Sequence, residues 1–333
     1  MSTTVAAYQL VETDEGVRGR HTRIPLEDLG EGDVLIRVTH SSVNYKDGLA
    51  ATGRAPIARR LPLVGGCCAA GTVVEPGESG LPADTVVAVV GATLSEQHNG
   101  GYCEYLRVPA AWVVAVPEAF TSRQAAAIGT AGVTSAMAVV KLEDAGVTPE
   151  SGPIAVTGAS GGAGSLAVAL LAARGYEVTA LTGKPEAEDL LRDLGAANVA
   201  PRPDTSGTRP LERGTWAGAV DTVGSDTLAW LTRTVAPGGS IAAFGNAGGN
   251  RLTTTVLPFI LRGINLLGVT VTFPAAELRE RVWELLASSL SREALDAIAT
   301  DVDFEDLDDA LRRIVTTGVV GRQVVRIGGE AAV

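Results

Sequence analysis

The sequence predicts an α/β protein in two parts, a β-rich module followed by a parallel, helix-covered sheet. Three observations carry this. Short apolar, β-branched runs separated by Gly, Pro, Asp and Glu clusters fill the first 120 residues. From near Ser122 the pattern changes to strands alternating with helices, as a parallel sheet requires. In the middle of that region a strand runs through a glycine turn into a helix.

Taken in order, the strand candidates of the first part are 34–39, 71–74 and 85–90. In the second part, 154–157 is a strand and 164–173 a helix. The next strand is 176–181, and the next helix, 185–194, opens with a proline in its first turn. Segments 219–223, 240–244 and 264–271 continue the strand series. An amphipathic helix around 277–290 places Leu278, Val282, Leu285 and Leu286 on one face. The six carboxylates between Asp301 and Asp309 read as a solvated helix start, where acids suit the helix dipole. The segment 323–327 reads as a final strand returning to the first part.

Composition narrows the function. The 333 residues carry 27 Lys and Arg against 38 Asp and Glu, a net charge of −11, which leaves no general footprint for nucleic acid or an anionic membrane. With 46% hydrophobic residues the chain is globular, and a small-molecule enzyme fits it better than a scaffold. The uncharged stretches 124–140 and 151–173 are read as buried rather than membrane-spanning, because the second contains a glycine-rich turn that lipid would leave unpaired. Residues 1–9 lack the pattern of a secretory signal, and Cys67, Cys68 and Cys103 cannot form a disulfide framework, so a cytoplasmic location is expected. No metal is expected. The only histidines are His21, His40 and His98, no C-x₂-C series is present, and Cys67-Cys68 is adjacent rather than spaced for chelation.

The strongest chemical signal is Thr157-Gly158-Ala159-Ser160-Gly161-Gly162-Ala163-Gly164 between strand and helix. Glycines let the backbone approach a pyrophosphate, whose charge sits against the helix N-terminal amides. An NAD site usually has an acid at the tip of the second strand, on the ribose hydroxyls. Here that strand is followed by Thr182-Gly183-Lys184, and a hydroxyl and an ammonium suit a 2′-phosphate. Arg202, after the third strand, could close over the same phosphate, so the cofactor reads as NADPH rather than NADH.

With these residues in hand, the chain resembles a zinc-independent medium-chain dehydrogenase/reductase. Within that superfamily it is similar to the quinone-oxidoreductase-like subgroup that includes bacterial acrylyl-CoA reductases. The resemblance rests on Ser41-Ser42-Val43-Asn44-Tyr45-Lys46-Asp47-Gly48, Ile128-Gly129-Thr130-Ala131-Gly132, the glycine turn, Val220-Asp221-Thr222-Val223-Gly224 and Pro258-Phe259-Ile260-Leu261-Arg262. It implies a GroES-like catalytic domain over 1–123 completed by 272–333, and a Rossmann NADPH-binding domain, a doubly wound parallel sheet, over 124–271. It also implies a homodimer joined through Rossmann sheet edges at 264–271. Cofactor contacts are implied for Tyr45, Ser160, Gly161, Gly162, Ala163, Thr182, Gly183, Lys184, Arg202, Asn246, Ile260, Val271 and Thr317.

The chemistry implied is hydride transfer to the β-carbon of an enone or enoyl thioester, with Tyr45 and Asn44 as the catalytic candidates. A quinone reductase, a secondary-metabolite enoyl reductase with an altered pocket, and a non-catalytic NADPH-binding protein are the alternatives. Arg54, Arg59 and Arg60 form a basic loop suited to a coenzyme A phosphate, and Asn99 and Phe273 complete the substrate candidates. The subgroup's Pro-Gly-Ile-Asp is replaced by Gly65-Gly66-Cys67-Cys68, and its His-Trp-Gly-Gly by His98-Asn99-Gly100-Gly101. Such departures bear on the substrate rather than on the fold.

Overall fold

The computed structural model describes residues 3–316 and 318–328, and the chain forms two compact units. The first holds the chain up to Thr130, Val271–Phe273 and the chain from Ala299 on, and the second holds Ala131–Thr270 and Pro274–Ile298. The expected assignment of 272–333 to the first part as one segment is corrected for Pro274–Ile298. Helices Ala276–Ser289 and Arg292–Ile298 pack on helix Gly162–Ala173 and bury Val282, Leu286, Leu295 and Ile298. Their apolar faces therefore belong to the core of the second unit.

In the first unit, strands Thr4–Thr13 and Gly16–Pro25 pair antiparallel, and Leu63–Val64 adds to the other side of the first. A seven-stranded sheet runs Ala299–Asp303, Arg322–Arg326, Val34–Val43, Cys68–Glu75, Val86–Val90, Val113–Ala115, with Tyr105–Val108 also paired to Val34–Val43. Val34–Val43 is central, and eight of its ten residues are buried, the polar His40, Ser41 and Ser42 among them. Tyr8, Leu10, Leu29, Ile36, Tyr102 and Leu106 fill the core between these strands. The last strand does return to the first, with Val324 opposite Ser42 and Gln323 opposite Val43.

The acidic run is not a single helix start. Its first part is the strand Ala299–Asp303, paired parallel with Arg322–Arg326, and the helix begins only at Leu307. Asp301 and Asp303 accept from Arg123 and Arg326, so strand pairing and two ion pairs replace the helix dipole there.

The second unit is built on six parallel strands in the spatial order Asn198–Pro201, Val178–Thr182, Ile154–Thr157, Trp216–Asp221, Val235–Ala243, Asn265–Gly268. Numbered along the chain, that is third, second, first, fourth, fifth, sixth, the order of a dinucleotide-binding sheet. The order reverses between Ile154–Thr157 and Trp216–Asp221, and ligands of such sheets bind beyond the carboxyl ends of the strands at that point. Helix Ser122–Asp144 is long and apolar enough to cross a membrane, but 83% of its apolar window is buried in the protein, and it is kinked at Gly129 (φ 42°, ψ −152°).

Candidate active site

The glycine turn occupies the reversal point. Strand Ile154–Thr157 is entirely buried and ends at Gly158, whose φ of 60° suits glycine. Helix Gly162–Ala173 begins with Gly161 as its N-cap and has no side chain capping it, so its first amides are left to whatever binds there. Gly164 is held by packing rather than by φ. A Cβ at that position would lie 2.3 Å from the Gly158 carbonyl oxygen and 2.7 Å from the Ala159 Cα. The turn is thus as tight as a backbone allows, which brings the helix start onto the strand.

Beside the turn, the Lys184 amide donates to Thr182 Oγ1 (3.1 Å), and the Thr182 hydroxyl donates to Ser160 Oγ (2.8 Å). Ser160 is left with its own proton to give. Arg202 lies across Gly183, where a Cβ would sit 2.3 Å from its Nε, so Lys184 and Arg202 flank one backbone position. Neither cation forms an ion pair with a carboxylate among the described residues. Gly161, Gly162, Ala163, Thr182, Gly183, Lys184 and Arg202, expected together from sequence, are together here. Two unpaired cations, a free hydroxyl and an uncapped helix form a cradle for a phosphorylated ligand.

Asp221 has a role that the sequence alone does not show. It is fully buried at the end of Trp216–Asp221 and accepts from the Thr157 hydroxyl (2.7 Å) and from the Gly224 and Val223 amides (2.8 and 3.4 Å). Burial pushes its carboxyl above the usual range, while those three donors oppose the shift. It ties the strand feeding the glycine turn to the loop after the fourth strand. Asn246 lies in the next loop, its carbonyl accepting from Gly249. Ile260 is exposed on helix Leu257–Arg262. Val271 belongs to the first unit, its carbonyl oxygen 2.4 Å from where Gly91 would carry a Cβ. Thr317 lies outside the described residues.

In the first unit, Tyr45 opens helix Tyr45–Ala51 and is half-buried, and its hydroxyl has no hydrogen-bond partner among the described residues. Asn44, the N-cap, is the opposite case. Its Nδ2 donates to Ser42 O (3.1 Å), Asp47 Oδ2 (2.9 Å) and Cys67 Sγ (3.2 Å), and its Oδ1 accepts from Arg322 Nη1 (3.2 Å). An amide so fully engaged positions its neighbours rather than meeting a substrate. Asp47 also accepts from the amides of Asn44 and Cys67 (both 3.0 Å). Burial, then the nearby Cys68 sulfur, lifts its carboxyl to about 6.

The other expected substrate residues separate. Arg54 donates to the Val315 carbonyl (2.6 Å), while Arg59 and Arg60 are exposed and form no ion pair among the described residues. Asn99 is buried, accepting from the Val64 amide (3.0 Å) and donating to the Asp28 and Leu29 carbonyls (3.1 and 2.9 Å), so it clamps two loops. Phe273 is 63% exposed, its ring 6.4 Å from that of Trp112. Among the described residues, no group of three or more His, Cys, Asp and Glu side chains is placed to hold a metal ion.

The sheet order and the uncapped glycine turn define a nucleotide-binding dehydrogenase fold, and comparisons with known proteins agree. The alcohol dehydrogenase GroES-like domain family matches residues 30–118, and the zinc-binding dehydrogenase family matches 162–288. The acrylyl-CoA reductase AcuI of Ruegeria pomeroyi is 43% identical over 307 residues, covering 92% of this chain and 93% of that protein. YhfP of Bacillus subtilis, named as a quinone oxidoreductase, is 40% identical over 330 residues, covering 98% and 100%. Its crystal structure, with NAD bound, superposes with a TM-score of 0.91 at 39% identity, covering 98% of this chain and 100% of that chain. The crystal structure of Escherichia coli K-12 YhdH with bound NADPH has a TM-score of 0.94 at 40% identity, covering 97% of this chain and 100% of that one. The chain belongs to the medium-chain dehydrogenase/reductase family.

Proposed function

We propose that this protein is an NADPH-dependent reductase that delivers a hydride to the β-carbon of an α,β-unsaturated carbonyl, an enoyl thioester or an enone. One observation carries the choice of NADPH: Arg202 lies against Gly183, next in sequence to Lys184, and neither cation has a carboxylate partner among the described residues, beside the uncapped turn at Gly161–Gly164. A bound nicotinamide supplies the hydride. The helix amides and Ser160 hold the pyrophosphate, and Lys184 and Arg202 hold the 2′-phosphate. Asn246, Ile260, Val271 and Thr317 are the remaining cofactor contacts in this reading.

Tyr45, half-buried at the start of its helix, has a hydroxyl to offer. Its phenol holds the nicotinamide ribose or the substrate carbonyl, where negative charge collects as the hydride arrives. Asn44 keeps the start of that helix in place. The exposed Arg59 and Arg60, with Arg54, attract the phosphates of a coenzyme A thioester. The names of the relatives support both an acyl-CoA and a quinone acceptor, so quinone reduction is the second reading. The test is a panel of acrylyl-CoA, crotonyl-CoA, cyclic enones and quinones with NADPH and with NADH. An enoyl preference in kcat/KM with NADPH is expected. A quinone preference favours the second reading, and tight NADPH binding without turnover on any acceptor overturns both.

The reading extends to assembly and place. Strand Asn265–Gly268 is a sheet edge, and Leu266 is exposed there at 37%, with Val256 at 66% and Leu261 at 64% nearby. Such an edge invites pairing with a second copy, giving a homodimer in the cytoplasm. Leu266→Lys is expected to yield monomers in light scattering, and an unchanged dimer would refute that interface.

A further inference from the structure

Arg322 is a buried cation without a carboxylate partner. It is 3% exposed, and its guanidinium donates only to neutral acceptors: the Ala127 carbonyl (2.9 Å), the Val43 carbonyl and Asn44 Oδ1 (both 3.2 Å), and Ser42 Oγ (2.6 Å). No Asp or Glu lies in salt-bridge range of it among the described residues. A buried charge of this kind needs a compensating one. Burial pulls the guanidinium down from its ordinary range, and the largest opposing influence is the Cys68 sulfur.

Hydrogen-bond accounting around that sulfur points the same way. Ser42 Oγ lies 3.0 Å from Cys68 Sγ while accepting from Arg322. The Ser42 hydroxyl has no other acceptor among the described residues, so its proton goes to the sulfur. The Thr130 amide, just past the kink at Gly129, also donates to the sulfur, and Asn44 Nδ2 donates toward it from 3.9 Å. Ser42, Asn44 and the Thr130 amide thus all present donors to Cys68, and with the Ser42 hydroxyl committed there a thiol proton would face donors on those sides. Cys67 differs, lying 3.5 Å from the Asp47 carboxylate, and it keeps its proton. The charged and titratable groups facing Cys68 are Arg322, Cys67, Asp47, Lys46 and Tyr102.

We propose that Cys68 is carried in the folded protein as a thiolate, the buried counter-charge of Arg322, and that this pair is a positioning element for Asn44 and the helix that presents Tyr45. The neighbouring Cys67, then Ser42 and the charge of Arg322, hold the Cys68 thiol well below its ordinary range against burial, which pushes it up. The inference does not rest on the reaction proposed above, because it concerns a charge state that can be read without turnover.

The test uses the full chain and three variants, Cys68→Ser, Cys68→Asp and Cys67→Ser. Near neutral pH the wild type and Cys67→Ser are expected to show the ultraviolet absorbance of one thiolate, absent from Cys68→Ser. Thermal unfolding then separates a counter-charge from core filler. Serine removes the anion and is expected to lower Tm by about 10 °C, whereas aspartate restores it and stays within about 3 °C of wild type. A neutral Cys68 predicts the reverse order, because serine would then be nearly isosteric and aspartate would bury a new charge. No thiolate signal in the native wild type, or that reversed order, overturns the proposal. If neither Cys68 variant folds, the spectra of wild type and Cys67→Ser still decide it.

Discussion

Replacing Lys184 and Arg202 with alanine, singly and together, measures how the cofactor cradle chooses its ligand. Arg202 is exposed and Lys184 half-exposed, so each acts on a 2′-phosphate through solvent-screened space. An estimate of about 4 kcal/mol for two unit charges at 4 Å, unscreened by salt and with no side-chain ordering cost, is therefore too large. Values near 1 kcal/mol are typical of exposed pairs, and the phosphate's charge of nearly −2 raises this toward about 1.4 kcal/mol, or about tenfold. Each single variant should lose about tenfold in kcat/KM with NADPH, and the pair somewhat less than a hundredfold, since both cations address one phosphate. With NADH, which lacks that phosphate, the change should stay within about twofold. The preference for NADPH should also shrink as salt rises, because the Debye length falls from about 10 Å at 0.1 M to about 3 Å at 1 M. The assay is initial-rate kinetics with both cofactors over a salt series. Parallel losses with NADPH and NADH, or a preference indifferent to salt, would refute the argument.

Other perturbations follow from the same geometry. Gly164→Ala drives a Cβ into the Gly158 carbonyl, an overlap worth about 1–3 kcal/mol. NADPH affinity by fluorescence titration should fall, and wild-type affinity would show that the turn can relax. Tyr45→Phe should lower kcat/KM about tenfold, the worth of one hydrogen bond; an unchanged kcat across the pH profile removes Tyr45 from the reaction. Asp47 has a folded-state value of about 6 against 3.8 when unfolded. Between those values the unfolded chain has released a proton that the folded one still holds. Stability therefore falls by about 3 kcal/mol as pH rises through that window. Asp47→Asn should flatten that part of a urea-unfolding pH series, and an unaltered slope would show that another group is responsible.

The nucleotide half was legible because its signals are local. Strand, glycine turn and helix lie within 154–173, and the parallel order that brings Arg202 to Lys184 follows from consecutive strands. The first unit was less legible because its decisive contacts are remote in sequence. Arg322 reaches Ser42 and Asn44 across 280 and 278 positions, and it lies just before the strand 323–327 read from the sequence. The carboxylates at 301 and 303 resembled a helix start because their strand partner comes some twenty residues later. Asn99 looked available only because a sequence does not show that the Leu29 and Val64 backbones would claim its amide.

Those remote contacts also set the order in which the polypeptide can acquire its structure during synthesis. Most of the second unit is one unbroken stretch, Ala131–Thr270, and its parallel sheet is complete once Asn265–Gly268 has left the ribosome. The first unit is translated earlier yet must wait, because its sheet lacks Ala299–Asp303 and Arg322–Arg326 until those segments are made. Until then, the edge of Val34–Val43 that will receive the last strand is open, and Asn44 has no guanidinium to hold it. The part of the chain made first is thus finished last, and its unpaired edge is the point of greatest exposure to misassociation in the nascent protein.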